Sequence, residues 1–292
     1  MLPKVRNKEN AMNARRFFTA LALLMMTALM VFPILMTFFF SFYSPANIKY
    51  IMETGNHYDE TFMDTKLDLR MLSLDQYRCV LTEEAGVLQY YRNSIFYTVV
   101  ILVCQSAVIP AFAYALARFR FPGKDLLSLS VIMLLLLPFQ VTMVPMVLVL
   151  RKMKLMDTVW AMILPSIASP FYIFLLRQHM IRIPNELFEA AQLDGAGTVR
   201  CFFHIAIPMS KSILISVIAL SFTDCWNMVE QPLVLLPNRS DLHPLSIVFN
   251  QMARHSNGIE FAGASLYILP GLIVYGFFQR NMMVGIQLSE MK

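Results

Sequence analysis

Apolar residues run in long blocks rather than in alternation. Phe17 to Phe42 is a run of 26 residues without a charge, Asn93 to Ala117 and Leu126 to Leu150 give 25 each, and Thr158 to Leu176 and Phe261 to Gln279 give 19 each. A further block, Ser212 to Val229, is interrupted only by Asp224. A helix needs about 20 apolar residues to cross a hydrocarbon core. The pattern therefore predicts an all-α membrane protein with six transmembrane helices. The first block is too long for a signal peptide and ends without a small-residue cleavage site. The expected organisation is a cytoplasmic N-terminus (1–16), a first transmembrane helix (17–42), an outer loop (43–92), a five-helix core (93–283) containing a polar segment at 177–211, and a cytoplasmic tail (284–292).

Composition agrees with the blocks. Hydrophobic residues make up 57% of the chain and charged residues 15%, against about 25% charged in soluble domains. A soluble monomer and a disordered chain are both excluded. The four cysteines lie far apart with no CxxC pair, which argues against a disulfide framework. The five histidines (His57, His179, His204, His243 and His255) are isolated, so no metal site is expected. Lys4, Arg6, Lys8, Arg15 and Arg16 precede the first span and anchor the N-terminus inside. With six spans the C-terminus is inside too, and the inner segments then carry 14 Lys and Arg against 10 outside. Arg151, Lys152 and Lys154 run against the rule.

Proline recurs in the spans at 33, 110, 138, 145, 165, 170 and 270. Each removes a backbone donor and frees a carbonyl. Two readings fit: kinks that help helices pack, or broken helices around a pathway, where neighbours or water satisfy the freed groups.

Arg177 to Lys211 is too polar for membrane and too long for a tight turn. Pro184 or Asn185 can open a helix there. Glu186 and Glu189 are placed to complement its dipole, and Ala190 and Ala191 favour it. Gly195 is placed to end it, and Thr198 can cap a second helix. Leu187, Ala190, Ala191 and Asp194 share a face with small side chains. This elbow is either a connecting loop on the membrane surface or a docking element for a partner.

The residues here carry a resemblance. Glu189-Ala190-Ala191, three residues, Gly195, nine residues, then Ile205-Ala206-Ile207-Pro208 resembles the EAA loop of binding-protein-dependent ABC importer permeases, with Ile207 where Leu is usual. FAYALARFRFPGK (112–124), LPFQVTMVP (137–145), SPFYIFLLRQ (169–178), Trp226-Asn227 and Asn93-Ser94 are similar to the carbohydrate-type, maltose-permease-like subfamily, in its second permease subunit. The likeness covers roughly residues 90–285, plus the first span in outline. The outer loop and the tail depart, with Ser289 where the family's ending has a glycine.

The resemblance implies a carbohydrate permease in a bacterial cytoplasmic membrane, with both termini cytoplasmic. Its expected partners are a second homologous permease subunit, two ABC ATPase subunits and an extracytoplasmic sugar-binding protein. ATP and Mg would belong to the ATPase partners. This chain lacks a G-x-x-x-x-G-K-[ST] phosphate loop and should hold no cofactor of its own; nucleic acid is not among its partners. Glu186, Glu189, Ala190, Ala191, Asp194 and Gly195 would form the ATPase-coupling elbow. A permease for glycerol phosphate or another polyol is the nearest alternative, and a stand-alone secondary transporter a more distant one.

Asp224, Trp226 and Asn227 are candidate pathway residues. An intramembrane acid is a functional hypothesis by default, and a Trp–Asn pair can stack on and hydrogen-bond a sugar. The alternative is an interfacial segment, where Trp is common. Arg118, Arg120 and Lys124 follow the second span and fit lipid headgroups or the inside rule.

Overall fold

The computed structural model describes residues 3–49, 72–83, 87–249 and 258–290. Most of the expected outer loop, including His57, therefore lies outside the described residues, as does His255. The chain divides into two compact units, Met1–Glu84 with Met252–Leu266, and Ala85–Gln251 with Tyr267–Lys292.

In the first unit, α1 (Pro3–Phe40) carries the first apolar block. Its Leu29, Met30 and Phe32 are exposed, as suits a helix whose solvent is lipid. A short helix, α2 (Asp75–Arg78), comes next among the described residues. Its Gln76 is fully buried and all its polar atoms are used. The amide donates to the carbonyls of Phe40 (2.7 Å) and Tyr43 (2.8 Å), and Oε1 accepts the N–H of Ala262 (3.2 Å). These bonds engage carbonyls at and just past the end of α1, where a helix leaves its last acceptors without intrahelical partners; that of Phe40 also accepts the Tyr43 N–H (3.1 Å). Gly258 has φ +77°, and a Cβ there would meet the Pro45 oxygen at 2.3 Å, so only glycine fits.

The second unit holds α3 (Val87–Arg118), α4 (Lys124–Leu136), α5 (Phe139–Lys152), α6 (Val159–Ser166), α7 (Pro170–Ile181), α8 (Asn185–Leu193), a segment α9 (Thr198–Met209) with a π-helical turn at its centre, α10 (Lys211–Trp226) and α11 (Glu230–Leu235). The last helix, α12 (Glu260–Glu290), runs from the first unit into the second. Helices cannot rely on the hydrophobic effect to associate in lipid, so close backbone approach matters more. Ala113, Ala161, Ala206 and Ala219 are all 0–1% exposed. One core cluster gathers Ala113, Leu116, Leu176, Met180 and Phe188. A second gathers Tyr97, Ile101, Met162, Leu235 and Leu236.

Among the described residues, four helical stretches are long and apolar enough to span a membrane: Arg16–Phe40, Val87–Arg118, Val159–Ile181 (α6 and α7 together) and Glu260–Gln279. The pairs Lys124–Leu136 with Phe139–Lys152 and Thr198–Met209 with Lys211–Trp226 raise the number to six if each counts as one bent span.

The expected single helix over Leu126 to Leu150 is corrected. It is two helices that meet at 115°. Leu137 is extended (φ −76°, ψ 132°) immediately before Pro138, because the proline ring crowds the α conformation of the residue before it. Ser169 before Pro170 is extended for the same reason (φ −72°, ψ 120°). Pro33, Pro110, Pro145, Pro165 and Pro270 stay inside helices. The prolines thus divide between the two readings, five absorbed within helices and two at breaks.

Candidate functional site

The elbow is α8. Pro184 takes the N-cap position and Asn185 begins the helix. Glu186 lies in the first turn, whereas Glu189 falls in the second. The end is a Schellman motif. The Ala196 N–H reaches the Ala191 carbonyl (2.9 Å) and the Gly195 N–H reaches that of Gln192 (3.0 Å). This geometry requires Gly195 at φ +79°. Thr198 does not cap α9 as expected: Gly197 holds the cap position, without a side-chain bond.

Glu186, Glu189, Ala190, Asp194 and Gly195 are exposed, and Ala191 is half-buried against the core. Leu187, Leu193, Val199 and Phe203 are exposed beside them, Leu193 by 89%. The back of α8 is held by Arg118, at the end of α3. Its guanidinium donates to Asn185 Oδ1 (2.5 Å) and to the carbonyls of Met180 (2.7 Å) and Ile183 (2.5 Å). It also lies 4.1 Å from the centre of the buried Phe188 ring. The lipid-headgroup reading of Arg118 is corrected by this geometry, since its fork points into the protein.

The second feature is a cavity of about 580 Å³. Leu137 and Phe139 from the α4–α5 break line it, as do Ala168, Ser169 and Pro170 from the α6–α7 break. Irregular backbone at membrane depth is tolerated where it lines a cavity or is buried in protein. Gln105, Ser166, Tyr172, Ser221, Asp224 and Gln231 supply the polar wall. Gln105 donates to the Ser166 carbonyl (2.6 Å) and accepts from Ser221. Gln231 donates to Ser166 Oγ (3.3 Å). The Tyr172 hydroxyl donates to Asp224 Oδ2 (2.5 Å).

Of the three candidate pathway residues, the structure brings only Asp224 to this cavity. Trp226 is 4% exposed. Its ring stacks on Phe222 (5.8 Å, 12°) and its N–H donates to the Tyr267 carbonyl (3.0 Å). Asn227 accepts the Tyr267 hydroxyl (2.7 Å). Trp226 is thus taken up by helix packing, while Asn227 stays exposed beside it. Gln105, Tyr172 and Gln231 escaped notice as lining residues, and Arg118 was singled out for its charge alone. Gln105 carried a readable signal, a lone amide in the middle of a charge-free block.

At the other end of α3, Asn93 donates to the carbonyls of Asp241 (2.8 Å) and His243 (3.1 Å), and Ser94 accepts from the Leu245 N–H (2.8 Å). The same loop is pinned by Asp157, which accepts the Asn238 backbone N–H (3.0 Å) and side-chain amide (2.9 Å). These bonds hold the Asp157 carboxyl below its ordinary value. Arg239 forks onto Asp241 at 2.8 Å twice and lowers its value likewise.

Comparisons with known proteins agree on a family. Residues 107–281 match the family described as "Binding-protein-dependent transport system inner membrane component". The arabinooligosaccharides transport system permease protein AraQ of Halalkalibacterium halodurans is 31% identical over 228 residues, covering 77% of this chain and 81% of AraQ. The sn-glycerol-3-phosphate transport system permease protein UgpE of Pectobacterium atrosepticum is 31% identical over 202 residues, covering 68% and 72%. A crystal structure of a bacterial ABC transporter involved in import of the acidic polysaccharide alginate shares the fold. Its TM-score is 0.76 at 22% identity, over 92% of this chain and 96% of that one.

Proposed function

We propose that this chain, which belongs to the family of binding-protein-dependent transport system inner membrane components, forms half of the membrane pathway of an ATP-driven carbohydrate importer and couples it to ATPase partners through α8. The chain is a multi-pass membrane permease subunit of a carbohydrate ABC importer. In the full assembly it pairs with a second, homologous permease. Two ATPase subunits carry ATP and Mg²⁺, and an external binding protein delivers the sugar. Six spans leave both termini in the cytoplasm, with α8 facing the ATPase.

The observation that carries the coupling role is the build of α8. One face is exposed and small, with Glu189 free to accept a charge-assisted bond from a basic partner. The other face is fixed by Arg118 and by the Schellman end. Such an element moves as a unit when a partner pushes it, because Arg118, which bonds both α8 and the Met180 carbonyl of α7, carries the displacement into α3.

The cavity supports a neutral cargo. Amides, hydroxyls and one carboxyl line it, and no Lys, Arg or His is among the lining residues. The likeness to UgpE favours a phosphate ester as a second reading. A phosphate ester calls for fixed cations, so the neutral oligosaccharide is the better fit.

The test uses the complete co-expressed complex carrying Glu189→Ala. Loss of a charge-assisted contact worth about 1.5–3 kcal/mol should weaken ATPase docking at least about tenfold. Sugar-stimulated ATP hydrolysis should fall with it, while membrane insertion persists. Lys152→Ala, at the far end of α5, should leave both unchanged. Full ATPase affinity and full stimulation in the Glu189→Ala complex would remove α8 from the coupling route.

A further inference from the structure

The cavity's polar wall is uneven in charge. Asp224 is the one ionisable acid or base of Asp, Glu, Lys, Arg or His type among the lining residues. Its described hydrogen-bond partner is the Tyr172 hydroxyl on Oδ2, and the residue lines the cavity. Gln105 is engaged through both its amide nitrogen and its oxygen, and Gln231 through its amide nitrogen. Among the lining acceptors the carboxylate is the strongest for an incoming hydroxyl, because hydrogen bonds to an ionised acceptor are the stronger ones. Phe139 and Phe171, both partly exposed on the lining, offer ring faces beside it. A volume of about 580 Å³ falls within the usual ligand range of about 300–1,000 Å³.

We propose that Asp224 is the charge selector of this cavity: held by Tyr172, it accepts hydroxyl groups of an uncharged oligosaccharide and occupies the position that the carboxylate of an acidic sugar would need. The inference rests on the carbohydrate reading above and deepens it. Two long helices, α5 and α7, begin at the cavity wall with Phe139 and Pro170. Helix N-termini favour negative charge. Asp224 answers them from within the chain, so a second anion is repelled. Without that carboxylate the same wall would suit an anion.

The experiment uses the complete permease–ATPase complex in nanodiscs, without binding protein. Bound arabinotriose is displaced by trigalacturonate or by its methyl ester, which share a skeleton and differ in charge. In the unmodified complex the acid should compete at least tenfold more weakly than the ester. Asp224→Asn should close that gap to within about threefold, chiefly by strengthening the acid. Asp224→Glu should restore the gap, which a merely misfolded cavity would not. Tyr172→Phe should weaken both probes and keep the gap. An unchanged gap in Asp224→Asn overturns the inference and leaves the carbohydrate reading standing. An unmodified complex that binds neither arabinotriose nor the methyl ester overturns both.

Discussion

The elbow and the cavity lie in one compact unit and are built on opposite plans. At the elbow, nine residues of regular helix are held from behind by a neighbouring helix end. Around the cavity, helices stop and restart, and the broken ends form the wall. Stiffness suits the displacement-transmitting role proposed for the elbow. Polar groups at helix breaks suit the polyhydroxylated cargo proposed for the cavity. Each proline is consistent with its region: Pro184 opens the elbow helix, while Pro138 and Pro170 interrupt the spans.

The largest expected effect breaks the stiff side of this contrast. Arg118→Ala removes three hydrogen bonds and the cation over Phe188. Charge-assisted bonds are worth about 1.5–3 kcal/mol each and are not additive, so a local loss of about 3–5 kcal/mol is expected. Amide exchange across residues 185–193 should accelerate at least about a hundredfold, and sugar uptake by the full complex should fall more than ATP hydrolysis does. Arg118→Lys keeps the charge but lacks the planar fork, and should fall between. Unchanged exchange in α8 of Arg118→Ala would show that the elbow is rigid for another reason.

The same contrast explains what could be read from the chain alone. The elbow is local: its opening proline, its alanine pair and its closing glycine lie within a dozen residues, and each acts on its own backbone. Its range and its Gly195 stop were legible for that reason. Arg118 was not, because it comes from 67 residues before its acceptor Asn185, and nothing in its neighbours signals the direction of its fork. The cavity is the reverse case. It joins α3, α4, α5, α6, α7, α10 and α11, so its members are adjacent only after folding. Asp224 stood out because a charge in an apolar block is costly. Trp226 stood out by residue type, yet its direction depends on Phe222 and Tyr267. The breaks at Pro138 and Pro170 were open to two readings, since the same residue kinks a helix where neighbours supply donors and ends it where they do not.

A smaller effect sharpens the cavity side. Gln105 is 6% exposed and joins α3 to α6 and α10 through Ser166 and Ser221. Gln105→Leu keeps the volume and deletes both bonds. Leaving buried partners unsatisfied costs about 1–3 kcal/mol. The thermal midpoint of the purified complex should drop by a few degrees and uptake should fall, with ATPase docking unchanged because α8 is not in this network. If docking weakens as much as uptake, the two regions are not separable as argued.

The smallest expected effect is one of pH, and it should separate the regions without any substitution. The start of α6 and the end of α11, two cavity helices, are joined by Asp157 and Asn238. Asp157 is held below its ordinary value near 3.8 by the Asn238 side-chain and backbone donors, and Asp241 is held down by Arg239. A carboxyl depressed in the folded state contributes stability above its unfolded value and loses it as pH falls through the folded one. The loop should therefore stay closed at neutral pH and loosen only below about pH 4. Both pairs are exposed, so added salt should weaken the Arg239–Asp241 fork further. The elbow is held differently. Arg118 is bonded to two carbonyls and an amide oxygen, and none of these acceptors titrates in that range. Hydrogen-exchange protection, corrected for the intrinsic rate at each pH, should fall for residues 236–243 between pH 5 and 3 and hold for 185–193. Equal loss in both segments would mean that acid acts on the unit as a whole, and that Asp157 is not what fastens the loop.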